Sequence, residues 1–470
     1  MIGSVAKIRS SAVLFAAALA EKVCYLAATL IISRLLSVAD FGKFSFALYA
    51  GFTVAVVAEF GFQPIVTRDI VAGPERRDEL FGTALLLKVP LALLAAAIVG
   101  GLSLFGGFER EQAQLLWAIG LSQIAVTVSY LGNAVFRAAR RLELEALSSF
   151  VRGVLYLVAA VGTLVLGFSL GVAAWAILLA NVISMIVTFG LAVRLIHPRF
   201  PRRIGSDVWH LLTQSAPLAG SVIATSIFSS LSVFALRWLM DDVSVGWYNS
   251  AHSLTSHIAF IPEVVTASLL PPMIVALQRD ESDTQPLTEM LLVMLGLSLP
   301  IAIGGSLLAP HLLSLVFGAK FDPAAPTLMW LIWTAPFSYV NVAYLLFLSA
   351  RRQQRLWPAF VLIGIALTAI GLYVLIPLFG SVGAAIARLI GEVGVVLIGT
   401  WKVRKAIDFG RLLCGVARIG LGLTGLVAVV LASQSAPVLI PVGLGALVYG
   451  LLIVMCGPWP ISGWRAVLSR

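Results

Sequence analysis

The feature that most constrains the fold is a series of apolar runs separated by short segments that carry the charges. A run of about 20 apolar residues spans the hydrocarbon core of a bilayer as an α-helix. Only 11% of the 470 residues are charged, against roughly 25% in a water-soluble domain, so much of the surface must face lipid. The runs predict an all-α polytopic membrane protein with about 14 transmembrane helices. Their approximate cores are 11–33, 44–66, 80–105, 114–136, 148–167, 171–193, 211–236, 247–276, 287–309, 327–349, 357–378, 381–401, 412–433 and 437–457.

The basic residues are distributed unequally between the two sets of loops. With the N-terminus placed in the cytoplasm, 22 of the 32 lysines and arginines lie in cytoplasmic segments and five in outer segments. Because short basic loops stay on the cytoplasmic side, both termini are predicted to be cytoplasmic. The net charge of +10 therefore belongs to a membrane surface with anionic lipid, and no nucleic-acid partner is expected.

Three short patterns recur in the same order, at offsets of 204, 211 and 212 residues. Six spans return the chain to one side, so the copies are parallel repeats related by a pseudo-two-fold axis along the membrane normal. We expect a six-helix N-lobe at 1–195, a six-helix C-lobe at 206–402 and two additional C-terminal helices at 403–470. Such lobes favour transport by alternating access. The paired patterns are Gly42-x-Phe44-Ser45-x-Ala47 with Gly246-x-Tyr248-Asn249-x-Ala251, Phe136-x-x-Ala139-Arg140-Arg141 with Phe347-x-x-Ala350-Arg351-Arg352, and Gly171-x-Ala173 with Gly383-x-Ala385.

Several loop sequences resemble those of one transporter family. They are Arg34-Leu-Leu-Ser-Val-Ala-Asp-Phe-Gly-Lys-Phe-Ser-Phe-Ala47, Val245-Gly-Trp-Tyr-Asn-Ser-Ala251, Leu315-Val-Phe-Gly-Ala-Lys-Phe-Asp-Pro-Ala-Ala325, and the prolines Pro262, Pro271 and Pro272. In order and spacing the chain resembles the polysaccharide transporters of the multidrug/oligosaccharidyl-lipid/polysaccharide exporter superfamily, over essentially its whole length.

The resemblance implies a flippase of the bacterial inner membrane. Its cargo would be undecaprenyl-pyrophosphate-linked oligosaccharide repeat units, made on the cytoplasmic face for O-antigen, capsule or exopolysaccharide. Membrane lipid is then a partner, with a polysaccharide polymerase and glycosyltransferases as candidate partners. A peptidoglycan-precursor flippase and a multidrug exporter of the same superfamily remain alternatives.

Three cationic side chains are candidates for binding the diphosphate: Lys22, Arg388 and Arg237. A charge at a helix centre costs roughly 2.5–3.5 kcal/mol on insertion scales, so it needs a functional or structural reason. Arg388 and Glu392 are four residues apart, and an internal ion pair is the alternative interpretation. Lys88, Arg152 and Arg418 lie near predicted cytoplasmic ends and are expected to extend toward the surface.

The candidates for a polar cavity or for ion coupling are mainly carboxylates and one histidine. Glu21 is expected either to face the cavity or to form a structural ion pair with another helix. Glu59 is expected either to balance a cavity cation or to pair with Lys88. His252 and Glu263 are 11 residues apart and share a helix face, either as a proton-coupled switch or as a wet polar stripe. Glu392 completes the set.

No chemistry-bearing motif indicates an enzyme. The sequence has no Gly-rich phosphate loop ending in Lys-Ser/Thr, so nucleotide hydrolysis is not expected. Asp241-Asp242 is too short an acidic turn for a metal site, and we expect no metal, no cofactor and no catalytic residue. A polytopic polysaccharide polymerase or glycosyltransferase, the enzymatic alternative, should offer a larger catalytic loop than 310–326.

Overall fold

A computed structural model describes residues 2–199, 204–258, 261–262, 265–266, 284–351, 353–433 and 436–456. Regular structure in these ranges is helical, and none of them forms a β-strand, which confirms the predicted all-α class. The chain divides into two compact units: the first is Met1–Arg237 with Asp241–Gly246, and the second is Trp238–Met240 with Trp247–Arg470. The predicted lobes divide instead within 196–205, so their boundaries stay a prediction.

The first unit contains the N-terminal helices and the start of the ninth. They are α1 Ile2–Leu35, α2 Val38–Glu59, α3 Phe62–Ala72, α4 Arg77–Phe105, α5 Arg110–Ala138, α6 Leu142–Val165, α7 Leu170–Val193, α8 Ile204–Leu239 and α9 Asp242–Ile258. A buried aromatic core contains Phe62 of α3, Phe81 of α4 and Phe136 of α5, each no more than 1% exposed. This core holds α3, α4 and α5 together.

The second unit continues from α9. Its further helices are α10 Gln285–Leu307, α11 Ala309–Phe317, α12 Ala325–Leu331, α13 Thr334–Ala350, α14 Trp357–Val403, α15 Phe409–Ala432 and α16 Leu439–Cys456. Its core includes Met294 of α10 and Tyr339 of α13, both fully buried. The Tyr339 hydroxyl donates a hydrogen bond to the Ile258 carbonyl oxygen at 2.7 Å, so α9 and α13 are fixed to each other.

Eleven helical segments among the described residues are long and apolar enough to cross a membrane, and Leu439–Met455 is a shorter apolar helix. A further span is predicted at 247–276, and only 247–258, 261–262 and 265–266 of it are among the described residues. The longest segment, Trp357–Ala406, contains two predicted spans. The structure therefore agrees with a polytopic protein of about 14 spans.

The helix α14 is a hairpin of two helices that meet at Gly380, whose φ of 57° and ψ of −129° interrupt the helix. A Cβ added at Gly371 would lie 3.0 Å from the Ala387 Cβ, and one added at Gly391 would overlap the Thr368 side chain. Because the two members of each pair lie at similar distances on either side of the turn, the two arms run antiparallel in close contact. The predicted split near residue 380 is confirmed.

The helices α2 and α3 are separated by a break inside one apolar segment. Phe60 and Gly61 both adopt left-handed conformations, with φ of 47° and 68°. Glycine adopts this conformation freely, whereas a bulky residue such as Phe60 is strained there. The predicted core 44–66 runs across this break, which the apolar pattern does not indicate.

The two glycines of the first repeated pattern, Gly42 of α2 and Gly246 of α9, each lie against the backbone of the other's helix. A Cβ added at Gly42 would overlap the carbonyl oxygen of Asp242, and one added at Gly246 would overlap that of Val38. Each glycine therefore contacts the backbone four residues before the other glycine. Only residues without a side chain allow helix backbones to approach this closely, which explains why glycine stands in both copies of the pattern.

We predict that Gly42→Ala destabilises the protein by about 1–3 kcal/mol, because the added methyl group forces the two backbones apart. The measurement is the midpoint of thermal unfolding of the detergent-purified protein. Gly220→Ala is the matched control, since a Cβ added there meets nothing within 4 Å. A Gly42→Ala variant as stable as the control would contradict the close crossing.

Candidate functional site

A buried ion pair joins α1 to α6 in the first unit. The Arg152 Nε donates to Glu21 Oε1 at 2.7 Å, and the two side chains are 4% and 16% exposed. The Arg152 guanidinium lies 5.6 Å from the centre of the Tyr130 ring, and its Nη1 has no hydrogen-bond partner among the described residues. The expectation that Arg152 extends toward the surface is therefore wrong, because the Glu21 carboxylate offers it a partner inside the protein.

A second buried ion pair joins α2 to α4. The Lys88 Nζ donates to Glu59 Oε2 at 3.1 Å, with side chains 2% and 14% exposed. Lys88 is thus buried as well. The prediction that its side chain extends toward the membrane surface is wrong, because the Glu59 carboxylate is its partner inside the protein. Glu59 was expected either to balance a cavity cation or to pair with Lys88, and the structure has the pair.

The two pairs share a tyrosine. Tyr130 of α5 experiences the charges of Arg152, Glu21 and Glu59. In a medium of low dielectric constant, charges interact over longer distances than in water. The four ionised groups and Tyr130 therefore form one charged core, here called the first-unit charge cluster.

The second unit contains a smaller cluster on α13 and α14. The Arg388 Nη2 donates to Glu392 Oε1 at 3.1 Å, and the Asn341 amide donates to Glu392 Oε2 at 2.9 Å. Glu392 thus has an arginine on one oxygen and an amide on the other. His252 of α9 lies within electrostatic range of Arg388, and its ring stacks on Tyr248 with centroids 5.7 Å apart.

The third predicted cation, Arg237, lies in a polar network beside the glycine crossing. Its Nε is 3.0 Å from Asp242 Oδ1, and its Nη2 donates to Gln112 Oε1 at 2.9 Å. The Gln112 amide group in turn donates to Asp242. The guanidinium also lies 5.5 Å from the centre of the Phe108 ring. Arg237 is therefore held by α5 and by the start of α9.

A cavity of about 550 Å³ lies at the ends of α3 and α8 that the predicted orientation places in the cytoplasm. Two contacts lie along it: an ion pair of Arg76 with Asp207 at 2.8 Å, and His210 Nε2 at 3.5 Å from Asp69 Oδ2. The first contact joins α8 to the turn between α3 and α4, and the second joins α8 to α3 itself. They fix the start of α8 against α3 within the first unit.

The predicted residues fall into separate groups. Lys22 is exposed on α1, in the first unit, whereas Arg388 belongs to the second. Glu263 lies outside the described residues. Among the described residues, no group of three or more His, Cys, Asp or Glu side chains is arranged to hold a metal ion.

Sequence reasoning missed three polar partners: Tyr130, Asn341 and Gln112. Each is an uncharged side chain, which costs less in a membrane than a charge does; Tyr130 and Asn341 lie inside long apolar helices, and Gln112 lies in the first turn of α5. For Tyr130 and Asn341 the available signal is a polar residue within a predicted span, which indicates a hydrogen bond to another helix; Gln112 lies just before the predicted span 114–136 and carries no such signal. That signal identifies no particular partner.

Comparison with known proteins gives one family and one relative. A family model described as polysaccharide biosynthesis protein matches residues 8–278. The chain is 22% identical over 336 residues to the probable low-salt glycan biosynthesis flippase Agl15 of Haloferax volcanii, a match covering 71% of this chain and 70% of that protein.

Solved structures share the fold. The lipid II flippase MurJ in an inward closed conformation matches with a TM-score of 0.76 and 14% identity, over 98% of this chain and 100% of that chain. A multidrug resistance MATE family transporter of the MOP superfamily, in an inward-facing conformation, matches with a TM-score of 0.63 and 14% identity, over 82% and 94%. These similarities concern the fold, and they confirm the predicted class.

We predict that Lys88→Met lowers the free energy of unfolding by about 3–5 kcal/mol, because it leaves the Glu59 carboxylate buried without a cation. Removing both charges in Lys88→Met/Glu59→Gln should reduce the loss to about 1 kcal/mol or less, since no uncompensated charge remains. Thermal unfolding in detergent checks both variants. A double variant no more stable than Lys88→Met would show that the pair does not hold these helices through its charges.

Proposed function

The chain belongs to the polysaccharide biosynthesis protein family, and we propose that it is a flippase that moves lipid-linked oligosaccharides across a membrane. The observation that carries the proposal is the match to a glycan biosynthesis flippase over 71% of the chain. A fold shared with transporters supports it. Charged pairs inside apolar helices support it too, because intramembrane charges commonly mark substrate or ion pathways.

We further propose the cargo and the location. The cargo is an undecaprenyl-pyrophosphate-linked repeat unit for O-antigen, capsule or exopolysaccharide, and the membrane is a bacterial inner membrane with both chain termini in the cytoplasm. The excess of basic residues in alternate loops supports this orientation. The polyprenyl tail stays in lipid throughout, so the protein must shield only the diphosphate and the sugars.

The diphosphate needs cations inside the protein. Lys22 and Arg388 are the proposed binding groups, since a guanidinium and an ammonium both form strong, charge-assisted hydrogen bonds with phosphate oxygens. Arg237 is the third proposed binding group. It can bind the diphosphate only after its contacts with Asp242 and Gln112 have broken. Transport itself would proceed by alternating exposure of the bound headgroup to the two sides.

A peptidoglycan-precursor flippase is the second candidate, favoured by the similarity in fold to the lipid II flippase MurJ. Both candidates carry a polyprenyl-diphosphate-linked glycan, so the same chemistry applies to both. They differ in the sugars, which analysis of the accumulated lipid identifies.

The proposed function is tested in a deletion strain by separating the lipid-linked oligosaccharides and determining on which face of the inner membrane they accumulate. We expect accumulation on the cytoplasmic face, reversed when the gene is restored. Unpolymerised units on the outer face would instead identify a polymerase, and normal levels and distribution of every lipid-linked species would point to a drug exporter.

We predict that Lys22→Gln together with Arg388→Gln lowers export at least about tenfold, because hydrogen bonds to a charged group contribute about 1.5–3 kcal/mol each. Export is measured as surface polysaccharide at equal protein levels in the membrane. The control is Arg110→Gln with Arg355→Gln, two exposed arginines at helix ends, and it should retain export. Undiminished export by the first variant would remove both residues from the proposed site.

A further inference from the structure

The cavity of about 550 Å³ at the ends of α3 and α8 has no part in the proposed transport. Its volume lies within the range of roughly 300–1,000 Å³ that is typical of small-molecule sites. Three apolar segments end or begin beside it: Val38–Ala72 ends there, and Pro74–Phe105 and Gly205–Leu239 begin there. Because the end of an apolar span marks the depth at which a bilayer meets water, the cavity lies at the level of lipid headgroups.

The lining of this cavity is acidic, on a side of the protein that is otherwise basic. Three carboxylates line it, from Asp69, Glu75 and Asp207, against one guanidinium, from Arg76, and the imidazole of His210. The segments predicted to lie on the same side hold 22 of the 32 lysines and arginines of the chain. The excess of carboxylates makes the cavity a local site for a cation.

Two of the three carboxylates already have a cationic partner. Asp207 accepts a hydrogen bond from Arg76 Nη2 at 2.8 Å, and Asp69 Oδ1 lies 2.8 Å from Arg68 Nη2. The Glu75 side chain is exposed, and within the described part of the chain it takes part in no ion pair or hydrogen bond. Its carboxylate is therefore free to accept from a bound cation.

The side chains of the lining favour one kind of cation, a primary ammonium. Quaternary ammonium groups bind to the faces of aromatic rings, and no Phe, Tyr or Trp is among the described residues that line the cavity. A primary ammonium has three N–H donors, and ionised carboxylates are its strongest acceptors. The three carboxylates thus match an amine that donates hydrogen bonds.

The remainder of the lining matches the rest of an aminophospholipid. Val66, Leu80 and Leu211 provide apolar surface for the part of the lipid beyond the headgroup. Arg76 Nη2 contacts Asp207 and its Nε lies 3.6 Å from a neighbouring carboxylate, so Nη1 remains as a donor to a phosphate oxygen. Two carbons join the ammonium and the phosphate of phosphatidylethanolamine, which suits an acidic and a basic side chain adjacent in the chain.

The surroundings of the cavity give a membrane lipid access to it. Val71 and Trp209, each next in the chain to a lining residue, are 53% and 69% exposed. Tryptophan is concentrated where the membrane meets water, because its ring is apolar and its N–H is polar. A lipid is therefore a better match to this position than a soluble amine.

We propose that this cavity binds the headgroup of an aminophospholipid, with the ammonium on Glu75 and Asp207 and the phosphate on Arg76. Glu75 and Arg76 belong to the turn between α3 and α4, whereas Asp207 belongs to the first turn of α8. The bound lipid connects these two elements, so the aminophospholipid content of the membrane sets how firmly the start of α8 is held against α3. Binding of this lipid does not depend on the proposed cargo.

The test measures lipid binding to the purified full-length protein by native mass spectrometry. Four lipids with identical acyl chains are compared: phosphatidylethanolamine, its N-methyl and N,N-dimethyl derivatives, and phosphatidylcholine. The positive charge is constant in this series while the N–H donors are removed one at a time. We expect weaker binding at each step, and phosphatidylcholine at least about tenfold weaker than phosphatidylethanolamine, because hydrogen bonds between charged groups are lost. Equal affinity for all four lipids would overturn the proposal.

The main variant is Glu75→Gln/Asp207→Asn, which should bind phosphatidylethanolamine at least about tenfold more weakly than the wild type. Glu75→Gln alone changes an exposed side chain and leaves the fold intact. It should weaken binding about threefold, as expected for an exposed charge pair. The midpoint of thermal unfolding in lipid-free detergent checks that both variants fold. Wild-type affinity in the folded variants would contradict the assignment.

The matched control is Glu143→Gln/Glu289→Gln. These carboxylates pair with Arg141 and Arg411 near other helix ends that the predicted orientation places in the cytoplasm. The control should bind phosphatidylethanolamine like the wild type. A control that loses as much affinity as the main variant would overturn the proposal, because binding would then depend on acidic charge anywhere on this side.

Two soluble competitors separate a lipid from a free amine. Glycerophosphoethanolamine has the same headgroup without acyl chains, and spermidine has amines without a phosphate. Each should compete with phosphatidylethanolamine at least about tenfold more weakly than the lipid itself, because neither fills the apolar part of the cavity. Spermidine that binds as tightly as the lipid would overturn the lipid assignment and identify a polyamine site.

Discussion

The lack of water inside the hydrocarbon core is the constraint on which the rest of the structure depends. Backbone N–H groups and charged side chains there must find partners within the protein. Arg152 and Arg388 each contact a carboxylate. At the break after α2, the Glu59 carboxylate accepts a hydrogen bond from Lys88. The charges are therefore stable in apolar helices only as assembled pairs, and a change in one partner affects the helices that both belong to.

Close backbone contact is the second consequence of a lipid environment. Helices in a membrane gain little from burying apolar side chains against each other, so packing at short distance must contribute more. The reciprocal contacts of Gly42 and Gly246, and those of Gly371 and Gly391 between the arms of α14, are of this kind. The glycines of the first repeated pattern thus have a physical role at equivalent positions of two helices.

The positions of the helices could be predicted from the sequence, whereas the interactions between them could not. Apolar length is a local property, so the all-helical class, the spans within the described residues and the split at Gly380 follow from the sequence. Arg152 and Lys88 were assigned to the surface because their partners lie 131 and 29 residues away in the chain. The break at Phe60 was missed because Gly61 is one of 41 glycines, and nothing local distinguishes it.

The most direct test of the central claim, that this chain carries lipid-linked glycan across a membrane, is reconstitution of the purified protein in liposomes without any gradient. A lipid-linked oligosaccharide placed in both leaflets is probed with a sugar-binding lectin added outside, before and after complete chemical modification of the outer pool. We predict that the outer pool refills from the inner leaflet in liposomes with the protein and stays empty in liposomes without it. An outer pool that stays empty in both would contradict the claim.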